Sequence, residues 1–164
     1  MGLTITLDEL LAWTAEERAK WLPWLKANPA ALDVVVQPGG RFPTVASLID
    51  HVLLVEHRHI LRLQRKELPT TTGVDPKDID ALWAYGERTR RGVLLYAALL
   101  SAADADQPRD IAFGAVTLTT SPRKLLFHLV LHEVRHWAQV ASVLRAAGFA
   151  PPGEHDLLFS KALV

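Results

Sequence analysis

The sequence contains no cysteine, and only one of its 164 residues is methionine. The absence of cysteine excludes disulfide bonds, thiolate metal sites and cysteine nucleophiles, and it favours a reducing compartment. The chain also has no net charge, since 18 basic residues balance 18 acidic ones. Nucleic-acid binding is therefore disfavoured, because no basic surplus is present to neutralise phosphates.

Long apolar runs are also absent, and none of the runs present reaches the length of a membrane span. The N-terminal region carries Asp8, Glu9, Glu16 and Glu17 in place of the basic flank of a signal peptide. We therefore expect a cytoplasmic protein that does not associate with membranes. A hydrophobic content of 49% in a chain of this length is enough for the core of a single domain over residues 1–164.

Helix signals divide the chain into four long segments. Capping residues at Thr6, Thr44, Asp75 and Ser121 predict helices over about 7–27, 45–67, 76–103 and 122–147. A second capping box at Thr14 allows a break in the first of them. Before the last helix, the β-branched content of residues 111–120 predicts one short strand or an extended crossover. We therefore expect an all-α protein, a four-helix bundle with a long crossover before its last helix.

The last helix carries three histidines in successive steps of four residues, His128, His132 and His136. On a helix this spacing places the three rings on one face, and two imidazoles four residues apart can share one metal ion. His132 and His136 also occupy positions of the inward face where leucine is expected. This favours a metal site over unrelated histidines. His128 could contact a ligand or the substrate or be a core residue, and the last of these is favoured.

The second helix also carries polar residues near its apolar stripe. On an ideal helical wheel Glu56 lies near the centre of the stripe, His59 lies close to it and His51 lies at its edge. The wheel alone therefore favours Glu56 or His59 as the inward-facing partner. A buried carboxylate at position 56 requires a cation or hydrogen-bond donors, which a metal ion, Arg58 or an arginine of another helix could supply.

Taken together, these motifs resemble the DinB/YfiT superfamily. The pattern of a histidine, three residues, a histidine, two residues and a glutamine is met at His132, His136 and Gln139. The resemblance extends over nearly the whole chain and includes His51 and Glu56, the extended stretch 113–119 and the ending at 144–156.

The resemblance implies a bundle that binds a divalent metal ion, zinc or nickel, through His51, His132 and His136. It implies a metal-dependent hydrolase or a transferase acting with small thiols. The expected partner is thus a small-molecule substrate, such as a low-molecular-weight thiol, and the resemblance also suggests a homodimer.

Several further residues are candidates for roles around this metal. Glu133 and Glu56 are the candidates for a general base. Contacts with a ligand or with substrate are assigned to His128, Gln139 and His59, and Gln139 could equally stabilise helix packing.

Two other functions are compatible with the same residues. His132, Glu133 and His136 fit the HExxH pattern of zinc metalloproteases, although strand content is minimal and only a short tail follows that could supply a third ligand. The other alternative is a metal-free helical module that binds a partner or a small ligand, in which the histidines are structural.

Overall fold

The computed structural model describes residues 4–162, which form a mainly helical protein with a small sheet. Five α-helices and one two-stranded antiparallel sheet are present in this range. In chain order the elements are α1 (Leu7–Ala27), α2 (Val45–Leu63), α3 (Ile79–Leu99), α4 (Ala102–Asp106), β1 (Arg109–Phe113), β2 (Val116–Thr120) and α5 (Pro122–Ala146), with short 3-10 helices at Pro29–Asp33 and Leu157–Phe159. None of the described helices is long and apolar enough to cross a membrane.

Helix α1 has the predicted bounds and begins with a complete capping box. The Thr6 hydroxyl accepts a hydrogen bond from the Glu9 amide, and the Glu9 carboxylate accepts one from the Thr6 amide. The helix is not broken at Thr14, whose hydroxyl donates instead to the Leu11 carbonyl at 3.2 Å. Residues spaced by three and four form the buried stripe of α1: Leu11, Thr14, Arg18, Trp21 and Leu25.

The two helices that carry the histidines begin at the predicted caps. The Ser47 amide donates to the Thr44 hydroxyl at the start of α2, and the Lys124 amide donates to the Ser121 hydroxyl at the start of α5. Gly148 follows α5 with a φ of +85°, and the Phe149 amide bonds to the Leu144 carbonyl as in a Schellman motif. Helix α5 therefore ends at Ala146, one residue before the predicted end.

Helix α2 ends four residues before the predicted position 67. Arg65 has a φ of +56°, the Arg65 amide bonds to the Arg62 carbonyl and the Lys66 amide bonds to the Leu61 carbonyl. This is also a Schellman motif, formed around an arginine where glycine is usual. The motif turns the chain away from the helix axis after Leu63.

Helix α3 is shorter than predicted at both ends. Asp75 accepts a hydrogen bond from the Lys77 amide and so forms a turn, and the true cap is Asp78, which accepts from the Ala81 amide at 3.0 Å. At the other end α3 stops at Leu99, because Ser101 caps the separate helix α4 through the Asp104 amide.

The stretch predicted as one strand or a crossover is a β-hairpin. Phe113 pairs with Val116, so Gly114 and Ala115 form a two-residue turn, and Gly114 has a φ of +65°. A positive φ at the first position of such a turn favours glycine. The hairpin lies directly before α5, where the crossover was expected.

The described residues form two compact units. One contains the residues up to Ile49 and those from His132 onward, and the other is Asp50–Leu131. In the first unit the Trp21 ring stacks on Trp137 with centroids 5.0 Å apart, and Trp24 donates to the Ala150 carbonyl. In the second unit Gly86 allows close contact with Leu53, because a Cβ at position 86 would lie 2.8 Å from a Leu53 methyl carbon. Helices α2 and α5 contribute to both units, and the single domain over residues 1–164 stays a prediction.

Candidate metal centre

Two histidines of α5 direct their ring nitrogens at each other. His132 and His136 are one turn apart, and their Nε2 atoms are separated by 3.2 Å. Two nitrogens that each lie about 2.1 Å from one ion are roughly 3.0 to 3.4 Å apart at octahedral and tetrahedral angles. The observed separation therefore fits two ligands of one ion.

His51 completes a group of three imidazoles. One ring nitrogen from each of His51, His132 and His136 lies within 4.8 Å of the other two. His136 is buried and the other two rings are half-buried. The residues brought together are those implied by the family resemblance, whereas the helical wheel favoured Glu56 or His59 over His51.

Gln139 contacts the most buried of these rings. Its Oε1 atom lies 3.1 Å from Nδ1 of His136, so Nδ1 donates and Nε2 keeps the lone pair that faces His132. Burial lowers the pKa of His136, an effect that nearby Arg135 reinforces and the hydrogen bond with Gln139 opposes. A neutral imidazole in a fixed tautomer is the form that binds a metal ion. The set of donors thus fits a divalent transition metal.

Glu133, which follows His132 in the sequence, is bound to an arginine of α1. Its side chain is 2% exposed, and its two oxygens accept hydrogen bonds from Nε and Nη2 of Arg18 at 2.6 and 2.9 Å. The indole of Trp137 donates to the same carboxylate at 3.1 Å. These donors occupy lone pairs with which a general base would accept a proton, and the general-base role of Glu133 stays a prediction.

Glu56 is arranged in the same way with an arginine of α3. Its buried carboxylate accepts hydrogen bonds from Nε and Nη2 of Arg90 at 2.7 and 3.3 Å. The wheel was therefore right to place Glu56 inside. The cation comes from an arginine of another helix, which is one of the partners that the sequence left open, and not from Arg58 of the same helix. Its general-base role also stays a prediction.

His59 and His128 form a stacked pair with ring centroids 5.4 Å apart. His59 is buried, and burial, followed by the charge of Arg62, lowers the pKa of His59 to about 3. His128 is exposed, so the expectation that it is a core residue is wrong. Leu131, three residues later on the same face of α5, is exposed as well, so this face lies outside the core.

The sequence analysis missed the two arginines that hold the buried carboxylates. Arg18 continues the stripe of Leu11 and Thr14 at a spacing of three and four residues, and Arg90 stands in the same relation to Trp83 and Gly86. This periodicity could have identified both arginines as inward-facing. In the sequence Arg90 belongs to a short basic cluster with Arg88 and Arg91, and such a cluster by itself predicts a solvated face.

Comparison with known proteins places the chain in a family. Residues 1–162 match the family model described as the DinB family, which covers nearly the whole chain. A search of the curated proteins finds no match.

Proposed function

The chain belongs to the DinB family, and we propose that it is a metalloprotein that binds one divalent ion through His51, His132 and His136. The observation that carries the proposal is the group of three ring nitrogens within 4.8 Å of one another. Three imidazoles favour zinc or nickel over magnesium or calcium, which prefer oxygen ligands.

Three neutral ligands leave the full charge of the ion in place and at least one position open. When bound, such an ion lowers the pKa of a water or a thiol that reaches the open position. This supports a metal-dependent hydrolase or a transferase that acts with a small thiol. The substrate is then a small molecule, and we propose a four-helix bundle as the scaffold and a homodimer as the assembly.

The residues around the ligands supply orientation. Gln139 accepts the Nδ1 proton of His136 and so holds its Nε2 lone pair toward the site. Arg18 and Trp137 hold the carboxylate of Glu133, which fixes the turn of α5 that carries both histidines. A ligand set held in advance binds an ion with less loss of conformational entropy.

The surroundings of Glu133 do not support the metalloprotease alternative. In that class the glutamate of HExxH activates the attacking water. Here both carboxylate oxygens bond to Arg18. The only sheet among residues 4–162 is the two-stranded hairpin, a small edge on which to hold a peptide.

Elemental analysis of protein purified without a histidine tag tests the proposal. We expect about one zinc or nickel ion per chain, and we expect His51→Ala and His132→Ala to abolish binding, because two imidazoles hold an ion far more weakly than three. His128→Ala is the matched control, since His128 lies one turn before His132 but outside the cluster, and it should retain the metal. Wild-type protein without metal after supply of both ions, or a His51→Ala variant with full occupancy, would contradict the proposal.

Activity is tested on the metal-loaded protein. We expect either hydrolysis of small esters or transfer of a small thiol to an electrophilic acceptor, with the rate lost on chelation and restored by the metal. A rate that is unaffected by removal of the metal would exclude the ion from the reaction.

A further inference from the structure

A cavity in the unit Asp50–Leu131 is lined by none of the proposed metal ligands. Its volume is about 460 Å³. The buried residues Ile60, Tyr85 and Thr89 form part of its wall, and Gln64, Lys66 and Arg88 are exposed at its rim. The volume is within the range of small-molecule sites.

The cavity carries a positive charge. Lys66 and Arg88 contribute cations, and the described residues that line it include no aspartate or glutamate. Asp50 lies beside the lining, where it accepts a hydrogen bond from the Thr72 hydroxyl and offsets part of this charge, whereas the charge of Glu56 is offset by Arg90. The charge of the lining therefore favours an anion.

A tyrosine and a histidine in the wall form a neutral pair. The hydroxyl oxygen of Tyr85 lies 2.6 Å from Nδ1 of His57. Burial raises the pKa of Tyr85 to about 12, and burial together with Arg88 lowers the pKa of His57. The phenol thus donates to Nδ1 of a neutral imidazole, and neither group offsets the charge of the rim.

The backbone before Lys66 adopts a conformation that is unusual for its residue type. Arg65 has a φ of +56°, in the left-handed region that residues other than glycine rarely adopt. The Lys66 amide bonds back to the Leu61 carbonyl, and both of these residues line the cavity. The chain after α2 is thereby folded back on the helix, which places Lys66 beside the cavity.

Gly92 leaves part of the wall open. It lies one turn after Arg88 on α3, and a Cβ at this position would have no heavy atom within 4 Å. A glycine inside a helix is destabilising relative to alanine. This position therefore offers a substitution that fills the cavity without a clash in the core.

We propose that this cavity is a second ligand site, which binds a small organic anion with its charged group between Lys66 and Arg88 and its apolar part against Ile60 and Tyr85. The charged group is a carboxylate or a phosphate monoester. The site functions without the metal and is therefore independent of the function proposed above.

Calorimetric titration of the full chain with benzoate, phenyl phosphate and the neutral analogue benzamide tests this site. We expect saturable binding of at least one anion with a Kd below about 1 mM and no binding of benzamide. The better of the two anions identifies the charged group. No saturable binding of either anion up to about 10 mM, or equal binding of benzamide, would overturn the proposal.

Variants locate the binding site. Arg88→Gln and Lys66→Gln should each weaken binding by about tenfold or more, whereas Arg91→Gln, which removes an exposed arginine of α3 outside the lining, should change it less than about twofold. Gly92→Leu should abolish binding, and Gly92→Ala shows that a side chain at this position leaves the fold intact. An equal loss with Arg88→Gln and Arg91→Gln would indicate unspecific attraction and overturn the proposal, as would wild-type affinity in a folded Gly92→Leu variant.

Discussion

Replacement of Glu133 by alanine tests whether this residue is a structural partner of Arg18. The two side chains are 2% and 4% exposed, and the pair is joined by two hydrogen bonds of 2.6 and 2.9 Å. Removal of one member of a buried ion pair costs about 3 to 5 kcal/mol, because the other charge stays buried without its counterion. The Trp137 indole also loses an acceptor, which adds about 1 kcal/mol.

The expected loss for Glu133→Ala is therefore about 4 to 6 kcal/mol. A typical domain is stable by about 5 to 15 kcal/mol, so the variant is expected to be close to unfolding at room temperature. The double variant Arg18→Met with Glu133→Leu removes both charges and should lie within about 2 kcal/mol of the wild type. The contrast between the single and double variants measures the cost of the isolated charge.

Urea unfolding followed by fluorescence gives the free energies of unfolding by linear extrapolation. Arg123→Ala is the control, since it breaks an exposed ion pair with Asp106 and should cost less than about 1 kcal/mol. A loss below about 1 kcal/mol for Glu133→Ala, or a double variant as unstable as the single one, would refute the structural role of the pair.

Three further predictions follow from other parts of the structure. Zinc or nickel at about 100 times its Kd should stabilise the wild type by about 2.7 kcal/mol and leave His51→Ala unchanged in thermal unfolding; equal stabilisation of both would contradict this. Gly148→Ala should lower the free energy of unfolding by about 1 kcal/mol and Arg65→Gly should raise it by a similar amount, because both positions have a positive φ; urea unfolding that shows the opposite signs would contradict it. The pKa of the His59 ring is lowered from the ordinary 6.5 to about 3 in the folded chain. Between these pH values the unfolded chain binds a proton at His59 and the folded chain does not, so the free energy of unfolding should fall with decreasing pH by up to about 1.4 kcal/mol per pH unit. His59→Phe should make that slope shallower in unfolding measured from pH 7 to 4, and an unchanged slope would exclude His59 as its source.

Local signals in the sequence predicted the helices well. Thr6, Thr44, Ser121 and Gly148 act where the chain was expected to begin or end a helix, because capping depends on residues within one turn. Asp75 misled the prediction since it resembles a cap but forms a turn of its own. The hairpin was missed as a pair of strands because Gly114 signals a turn only when both flanking stretches are recognised as strands.

The candidate site was predictable only in part. The pair His132 and His136 follows from helix periodicity, whereas His51 came from the family resemblance and not from the wheel. The partner of Glu56 could not be chosen from the sequence, since pairing between distant residues depends on tertiary packing. The exposed position of His128 differs from the expectation for the same reason.

The division of the chain into two units has a consequence for its synthesis on the ribosome. The unit Asp50–Leu131 is one continuous segment, whereas the other unit joins the first part of the chain to the last. The nascent segment 50–131 can therefore begin to collapse while Trp21 still lacks Trp137, its stacking partner. Until the segment from His132 onward has been synthesised, Trp21 cannot pack on Trp137, and its face of α1 is open to chaperones and to other nascent chains.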